Sequence, residues 1–517
     1  MHDEVKVCGT PEGYDAKIIL NELNHQQNSV VHVARDDKRM RAMADALNFF
    51  QPDLEVFEFP SWDCLPYDRV SPNMEISSNR MAILSKFADN AAKNFVVLTT
   101  LNAVLQKVPC RSVLRDYAFK AQVGENINEK LLREFLVRMG FTKSSSVREA
   151  GEYAIRGGII DIFPPGYSNP VRLDLFGNVL DGARLFDSET QLTIKKLYEI
   201  ELAPVSEVVI DEFSIKNFRQ SYRAQFGSTL TNDPLYEAVS SGRKYQGLEH
   251  WLPFFYEELD TVFSYFPTAT ITMYNNLDAD LVSRCKLVTD QYEARAFAND
   301  NKPTKDYAYK PIRPSALYLD ETEWAKLIKI RRSMIFNPLP QPLGPNIVDS
   351  GGRIGRNFAP ERQSDNLSLF SSLADHLQKR LKHGPVLIAS YSEGSLERLS
   401  GLLKDEGLHQ PVTVSNWSMV TKHLVYMTVW PLDQGFETSD FTVISEQDIL
   451  GDRLIRRPKK RRPENFLTDA QSLSIGGLVV HIDHGVGRYM GLEVINVSGA
   501  AHECLLIEYA EASRLYL

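Results

Sequence analysis

The stretch from Arg148 to Thr193 constrains the fold of this chain most. Ile159, Ile160, Ile162 and Phe163 form a short apolar run that stops at Pro164-Pro165-Gly166, residues whose backbone preferences favour a turn. From Val171 to Leu175 apolar residues hold every second position, with Arg172 and Asp174 between them. A period of two sends alternate side chains to opposite faces, so the segment predicts a half-buried strand with one polar face. Gly177-Asn178 turns the chain again and a third run follows to Phe186. The whole predicts a three-stranded antiparallel meander. Phe176 breaks the alternation, because it falls on the face of Arg172 and Asp174. An aromatic beside an arginine on an exposed face is the composition of a binding hot spot. The spacing alone favours the plainer alternative, a ring tucked under the next loop.

Around this meander the chain alternates strands with helices, the pattern of a parallel sheet. In residues 1–115 the runs Val5-Lys6-Val7-Cys8, Val30 to Ala34 and Phe95 to Thr100 read as strands, and Lys17 to Asn24 and Ala44 to Phe50 as helix. The first strand–turn–helix stands where a phosphate-binding loop would stand. That loop needs glycines for close backbone approach, then a lysine and a hydroxyl for the phosphates and the metal. Here Gly9 and Gly13 are followed by Tyr14-Asp15-Ala16, so the loop is degenerate and not expected to bind. In residues 57–84, Trp62, Tyr67 and Arg80 could stack on bases. They could equally pin the loop to its own sheet, which is the favoured reading. Residues 116–195 carry the β-rich insertion, and 196–334 return to mixed character. Residues 335–368, rich in Pro, Gly, Asn and Arg, read as a linker. Residues 369–452 form a second α/β unit, again without a lysine-serine phosphate loop. In the run RLIRRPKKRR, Arg456, Arg457, Lys459, Lys460, Arg461 and Arg462 make either a solvated linker (453–468) or an arm on DNA phosphates. Residues 469–517 are all β, and the last strand leaves a small barrel unclosed, so the sequence reads as cut inside a domain.

Composition bounds the function classes. A chain of 517 residues implies three or four domains. A net charge of −9 argues against coating nucleic acid with the whole surface, while leaving room for a local basic patch. The five cysteines are scattered and never spaced as C-x-x-C, which predicts reduced thiols in a cytoplasmic protein and no zinc site. No apolar run approaches the ~18 residues a membrane span needs.

Four segments carry a resemblance: FPSWDCLPYDRVSPNMEISSNR at 59–80, GEYAIRGGIIDIFPPG at 151–166, RLFDSETQLT at 184–193 and VVHIDHGVGRYMGL at 479–492. In order and spacing they resemble the N-terminal half of the bacterial transcription-repair coupling factors. The resemblance implies an α/β multidomain fold. A UvrB-like α/β domain (1–115 and 196–334) is interrupted by an inserted UvrA-binding domain (116–195). A second small α/β domain (369–452) and an incomplete CarD-like, Tudor-like barrel (469–517) that binds the RNA polymerase β subunit follow. The family's UvrA contacts map onto Arg156, Arg172 and Phe176, which reverses the preference for packing and expects all three exposed on one face. Its apolar polymerase contact maps onto Ile495, consistent with strand-edge addition. The implied function is an adaptor in transcription-coupled nucleotide-excision repair, recruiting UvrA to stalled polymerase. The alternative is a UvrB-like ATP-dependent helicase subunit on damaged DNA. In the family, ATP with Mg, the translocase activity and most DNA contacts belong to motor domains that this sequence does not contain. The chain itself is therefore expected to carry no ATPase site, no cofactor and no metal, and to be a monomer.

Overall fold

The computed structural model describes residues 4–451 apart from 27, 90–93, 228–232, 301–308, 343, 364–367 and 406–410, and then residues 476–481, 485–497, 500–509 and 513–516. The chain forms two compact units, Met1–Gly451 and Asp452–Leu517.

The first unit is built on a seven-stranded sheet in the order Ile347–Asp349, Glu4–Cys8, Ser333–Asn337, Thr270–Tyr274, Val30–Ala34, Phe95–Thr100, Glu55–Phe59. Every pair in it is parallel. Parallel strands need crossovers and so are covered on both faces, which is why Val30–Ala34 and Phe95–Thr100 are buried along their whole length. Alternate residues serve opposite cores. Val31 and Val33 pack with the helix Met74–Asp89, while Val30 and Ala34 pack with Tyr14–Gln26 and Asp37–Phe50. The strands at 270–274 and 333–337 lie between the first two strands of the chain, so the segments before and after the insertion complete one sheet.

The insertion forms a six-stranded sheet in the order Thr193–Leu197, Val179–Phe186, Val171–Phe176, Ile159–Ile162, Glu152–Arg156, Thr142–Lys143. The predicted meander is its centre. The strand Glu152–Arg156 escaped the sequence reading, although it forms a hairpin with Ile159–Ile162 across Gly157-Gly158. The amphipathic helix Glu129–Arg138 is capped by Asn128, which accepts from the Lys130 and Leu131 amides. Its Leu132, Phe135 and Leu136 join Ile160, Ile162, Leu173 and Leu180 in one core.

Residues 335–368 are not a free linker, and that expectation is corrected. Ile347–Asp349 is the edge strand of the seven-stranded sheet, and Arg353–Ile354 pairs with Phe436–Glu437 in a third sheet. That sheet runs Arg353–Ile354, Phe436–Glu437, Thr442–Ser445, Val386–Ser390, Val425–Val429, Val412–Thr413. The second α/β segment also shares a core with the first: Phe49 stacks on Trp430 at 4.9 Å between ring centroids, and Phe50, Phe436 and Phe441 pack around them. Composition marked a loop, but two of its short segments pair through their backbones with the edges of two sheets, while their side chains stay largely exposed.

The second unit is an antiparallel sheet of Leu478–His481, Gly485–Val497, Ala500–Glu508 and Arg514–Tyr516, in chain order. Gly485 pairs with His481, and one long strand begins there despite Gly485 and Gly487. Glycine without a side chain does not oblige a turn where a partner strand supplies the hydrogen bonds. The backbone of Ile495 lies opposite His502; its side chain lies outside the described residues, as do Arg456, Arg457, Lys459, Lys460, Arg461 and Arg462. Among the described residues no helix is long and apolar enough to cross a membrane.

Candidate partner-binding surface

Register decides which residues share the outer face of the six-stranded sheet, because directly opposed residues point the same way. Arg172 lies opposite Asp161 and Arg184, and Asp174 opposite Ile159 and Gly182. Ile159 in turn lies opposite Arg156. These form one face, and Ile160, Ile162, Val171 and Leu173 form the buried other. The register slips between Asp174 and Leu175, which leaves Phe176 directly opposite Val179. Phe176 is 82% exposed, so the ring is not tucked under a loop. Ile159 and Val179 beside it are exposed at 38% and 36%. Sequence reasoning missed both. Ile159 was hidden in a continuous apolar run, and only its parity with Asp161 could have placed it outward.

The expectation that Arg156, Arg172 and Phe176 are all exposed is corrected for Arg172. Arg156 is exposed, with Nη2 donating to the Ser145 carbonyl at 2.6 Å. The Arg172 side chain is only 16% exposed. Its Nε and Nη2 donate to the two oxygens of Asp161 at 2.6 and 2.9 Å, and Nη2 also donates to Gln191 Oε1 at 2.8 Å. The guanidinium lies 4.3 Å from the centre of the Phe186 ring. The bidentate bond to Asp161 raises its pKa. Arg172 thus braces the sheet under Phe176, and Arg184 pairs with Asp174 alongside. A planar fork next to a carboxylate on the neighbouring strand satisfies itself internally, which one-dimensional spacing does not reveal.

The loop after the first strand is filled from within. Gly9 and Gly13 take φ of +67° and +88°. The Asp15 carboxylate, buried, accepts from the Gly13 and Ala16 amides at 3.0 Å each and from Arg39 Nη2 at 3.0 Å; Arg39 also pairs with Glu12. A methyl on Gly9 would meet the Gly352 carbonyl at 2.6 Å and Asp349 Oδ1 at 2.8 Å. Gly13 faces Phe436, Leu432 and Trp430. The amides of Gly13 and Ala16 that a phosphate would use are taken by the chain's own carboxylate, and the space at Gly9 by residues 349–353. Burial pushes the Asp15 carboxyl up to about 6, against the opposing pull of Arg39. The folded chain therefore holds this proton to higher pH than the unfolded chain, where the group titrates near about 4. Between those values folding takes up a proton, and stability falls as pH rises. Urea unfolding of the wild type and of Asp15→Asn across that window is expected to show the wild type losing stability relative to the variant. A constant difference would refute the assignment.

Trp62, Tyr67 and Arg80 are packed, in line with the favoured reading. Arg80 has no exposed side-chain surface. Its Nε and Nη2 donate to Glu207 at 2.5 and 3.3 Å, and Nη1 donates to the Pro60 carbonyl at 2.8 Å. Trp62 Nε1 donates to the same Glu207 at 3.0 Å. This cluster ties the loop before the insertion to the segment after it.

Three family models match the chain. In order they are the UvrB interaction domain over residues 119–208, the MFD D3 domain over 379–449 and the CarD-like/TRCF RID domain over 473–517. Curated relatives carrying the name transcription-repair-coupling factor align along nearly all of it. The one from Haemophilus influenzae is 29% identical over 524 residues, covering 98% of this chain and 44% of the relative. That from Escherichia coli is 28% identical over 524 residues (99% and 44%), and that from Rickettsia bellii 27% over 494 (96% and 43%). The chain spans less than half the length of the curated relatives it matches. Three domain matches in this order, on a chain aligned almost end to end with proteins of one name, make it similar to the N-terminal part of the bacterial transcription-repair-coupling factors.

Proposed function

We propose that this chain is an adaptor in transcription-coupled nucleotide-excision repair, joining UvrA through the inserted sheet to RNA polymerase through the second unit. The observation that carries the reading is the exposed Phe176, flanked by Ile159 and Val179, within the segment matched by the UvrB interaction domain. An exposed aromatic with apolar neighbours and a charged surround of Arg156, Asp174 and Arg184 has the make-up of a protein-binding patch. On this reading Phe176 is the anchor, Arg156 a rim contact and Arg172 the brace that positions both. On this reading the polymerase, through its β subunit, is the second partner, supported by the match of residues 473–517 to the CarD-like/TRCF RID domain. There the long strand bearing Ile495 would add a strand edge within a Tudor-like barrel.

The surrounding seven-stranded domain is UvrB-like on this reading, but without nucleotide chemistry. Asp15 occupies the amides of its first loop, so the helicase alternative is not favoured. ATP with Mg, translocation and any DNA contact beyond the basic run 453–462 are not ascribed to these residues. The chain is proposed to act as a cytoplasmic monomer. In size-exclusion chromatography the purified chain is expected to co-elute with UvrA, and separately with RNA polymerase core, while showing no DNA-stimulated ATP hydrolysis. Failure to bind either protein, or measurable DNA-stimulated hydrolysis, would overturn the adaptor reading.

A further inference from the structure

A cavity of about 450 Å³ opens where the helix Leu277–Asp300 meets the segment 313–320. Most of its wall is apolar or aromatic: Leu105, Val288, Tyr292, Pro314, Tyr318 and Leu319. The half-buried Arg284 lines it as well. Among the described residues Arg284 has no hydrogen bond and no ion pair. The groups that influence it electrostatically are the Tyr318 phenol and the thiols of Cys285 and Cys64. Burial raises the pKa of all three, so they are neutral at pH 7 and offer no counter-charge. Burial also lowers the pKa of Arg284 itself, the direction expected of a cation partly removed from water.

A second cation, the exposed Arg313, and two carboxylates stand at the same cavity. Asp320 is engaged as the cap of helix Glu321–Lys329, accepting from the Glu323 amide at 2.7 Å, and Glu293 is exposed. Neither is among the groups acting on Arg284. They would repel an extended polyanion such as nucleic acid, but leave room for one compact negative group. Behind the aromatic wall lies Tyr67, fully buried at φ +59°, with its ring 5.7 Å from that of Tyr292 and 6.3 Å from that of Tyr318. Its hydroxyl has no hydrogen-bond partner among the described residues. Holding a bulky residue in left-handed backbone with an unsatisfied hydroxyl costs free energy, and such costs collect where a site is held in shape.

We propose that this cavity binds a small organic anion with a flat apolar body, its carboxylate or phosphate paired with Arg284 and its body against Tyr292, Tyr318 and Leu105. The volume falls in the range of small-ligand sites, and a guanidinium fork matches either planar carboxylate or phosphate oxygens. The observations fit a free ligand rather than a core defect, because an unpaired cation and aromatic walls meet in one open cavity.

Cys285 lines the cavity as a half-buried free thiol and provides a built-in reporter. The test is alkylation of the full chain by N-ethylmaleimide, followed residue by residue by mass spectrometry, with benzoate, phenyl phosphate or neutral benzamide present at equal millimolar concentration. At least one anion is expected to slow modification of Cys285 about fivefold or more at concentrations above its Kd, while Cys110, which lies outside the cavity, is unaffected. Benzamide is expected to give no such protection, and Arg284→Gln to abolish it. Protection by benzoate alone identifies a carboxylate ligand; protection by phenyl phosphate identifies a phosphate. No protection by either anion, equal protection by benzamide, or protection retained in Arg284→Gln would overturn the proposal. The comparison of anions with benzamide on the wild-type chain stands even if the variant does not fold.

Discussion

Replacing Arg80 with alanine is expected to lower the unfolding free energy of the first unit by about 3–5 kcal/mol. The size follows from burial. Both Arg80 and Glu207 are out of water, with side-chain exposures of 0% and 1%. Removing the guanidinium leaves a carboxylate in the interior, with Trp62 and Gln106 as its remaining side-chain donors. It also leaves the Pro60 carbonyl without its partner and strips a cation from the Phe59 ring, 4.3 Å away. A surface pair in the same domain supplies the contrast. Lys86 and Glu55 approach to 2.9 Å but are 45% and 57% exposed, so Lys86→Ala should cost no more than about 1 kcal/mol. Urea unfolding followed by tryptophan fluorescence measures both. An Arg80→Ala loss no larger than that of Lys86→Ala would show that the cluster does not hold the two chain segments together.

The second large effect is on binding. Phe176→Ala is expected to weaken association with UvrA by about 2 kcal/mol or more, roughly thirtyfold in Kd. It should leave stability within about 0.5 kcal/mol of wild type, since the ring is mostly in water and supports little packing. Arg172→Ala should behave differently. Asp161, with 4% side-chain exposure, would lose its bidentate partner, so stability and binding should fall together. Isothermal titration with UvrA, paired with urea unfolding of each variant, separates the anchor from the brace. Unchanged affinity in Phe176→Ala would sink the assignment of the patch. Loss of affinity in Arg172→Ala without any loss of stability would instead return Arg172 to the role of a direct contact.

Much of the architecture was legible because period and punctuation are local properties. The continuous apolar runs at 30–34 and 95–100 read as strands of a parallel sheet, and both are buried strands of one. The strand Glu152–Arg156 was less legible, since its polar ends and short apolar centre resemble a loop until a hairpin partner is present. The segment 335–368 misled for the opposite reason. Its Pro and Gly content is that of a loop, yet Ile347–Asp349 and Arg353–Ile354 found strand edges with unsatisfied hydrogen-bond groups waiting for them.

By itself the sequence determined that Phe176 stands on the polar face of its strand, because side-chain direction along a strand depends only on parity. It also determined that the loop at Gly9 and Gly13 lacks the cation a phosphate needs. What surrounds those residues was decided only by tertiary structure. Arg172 became a brace because the neighbouring strand brought Asp161 opposite it, 11 positions away in the chain. Asp15 came to occupy the loop amides, while residues 349–353, more than three hundred positions away, closed over Gly9. Hydrogen bonds and burial are properties of neighbours in space, and those neighbours are chosen by strand order and register, which no short stretch of sequence carries.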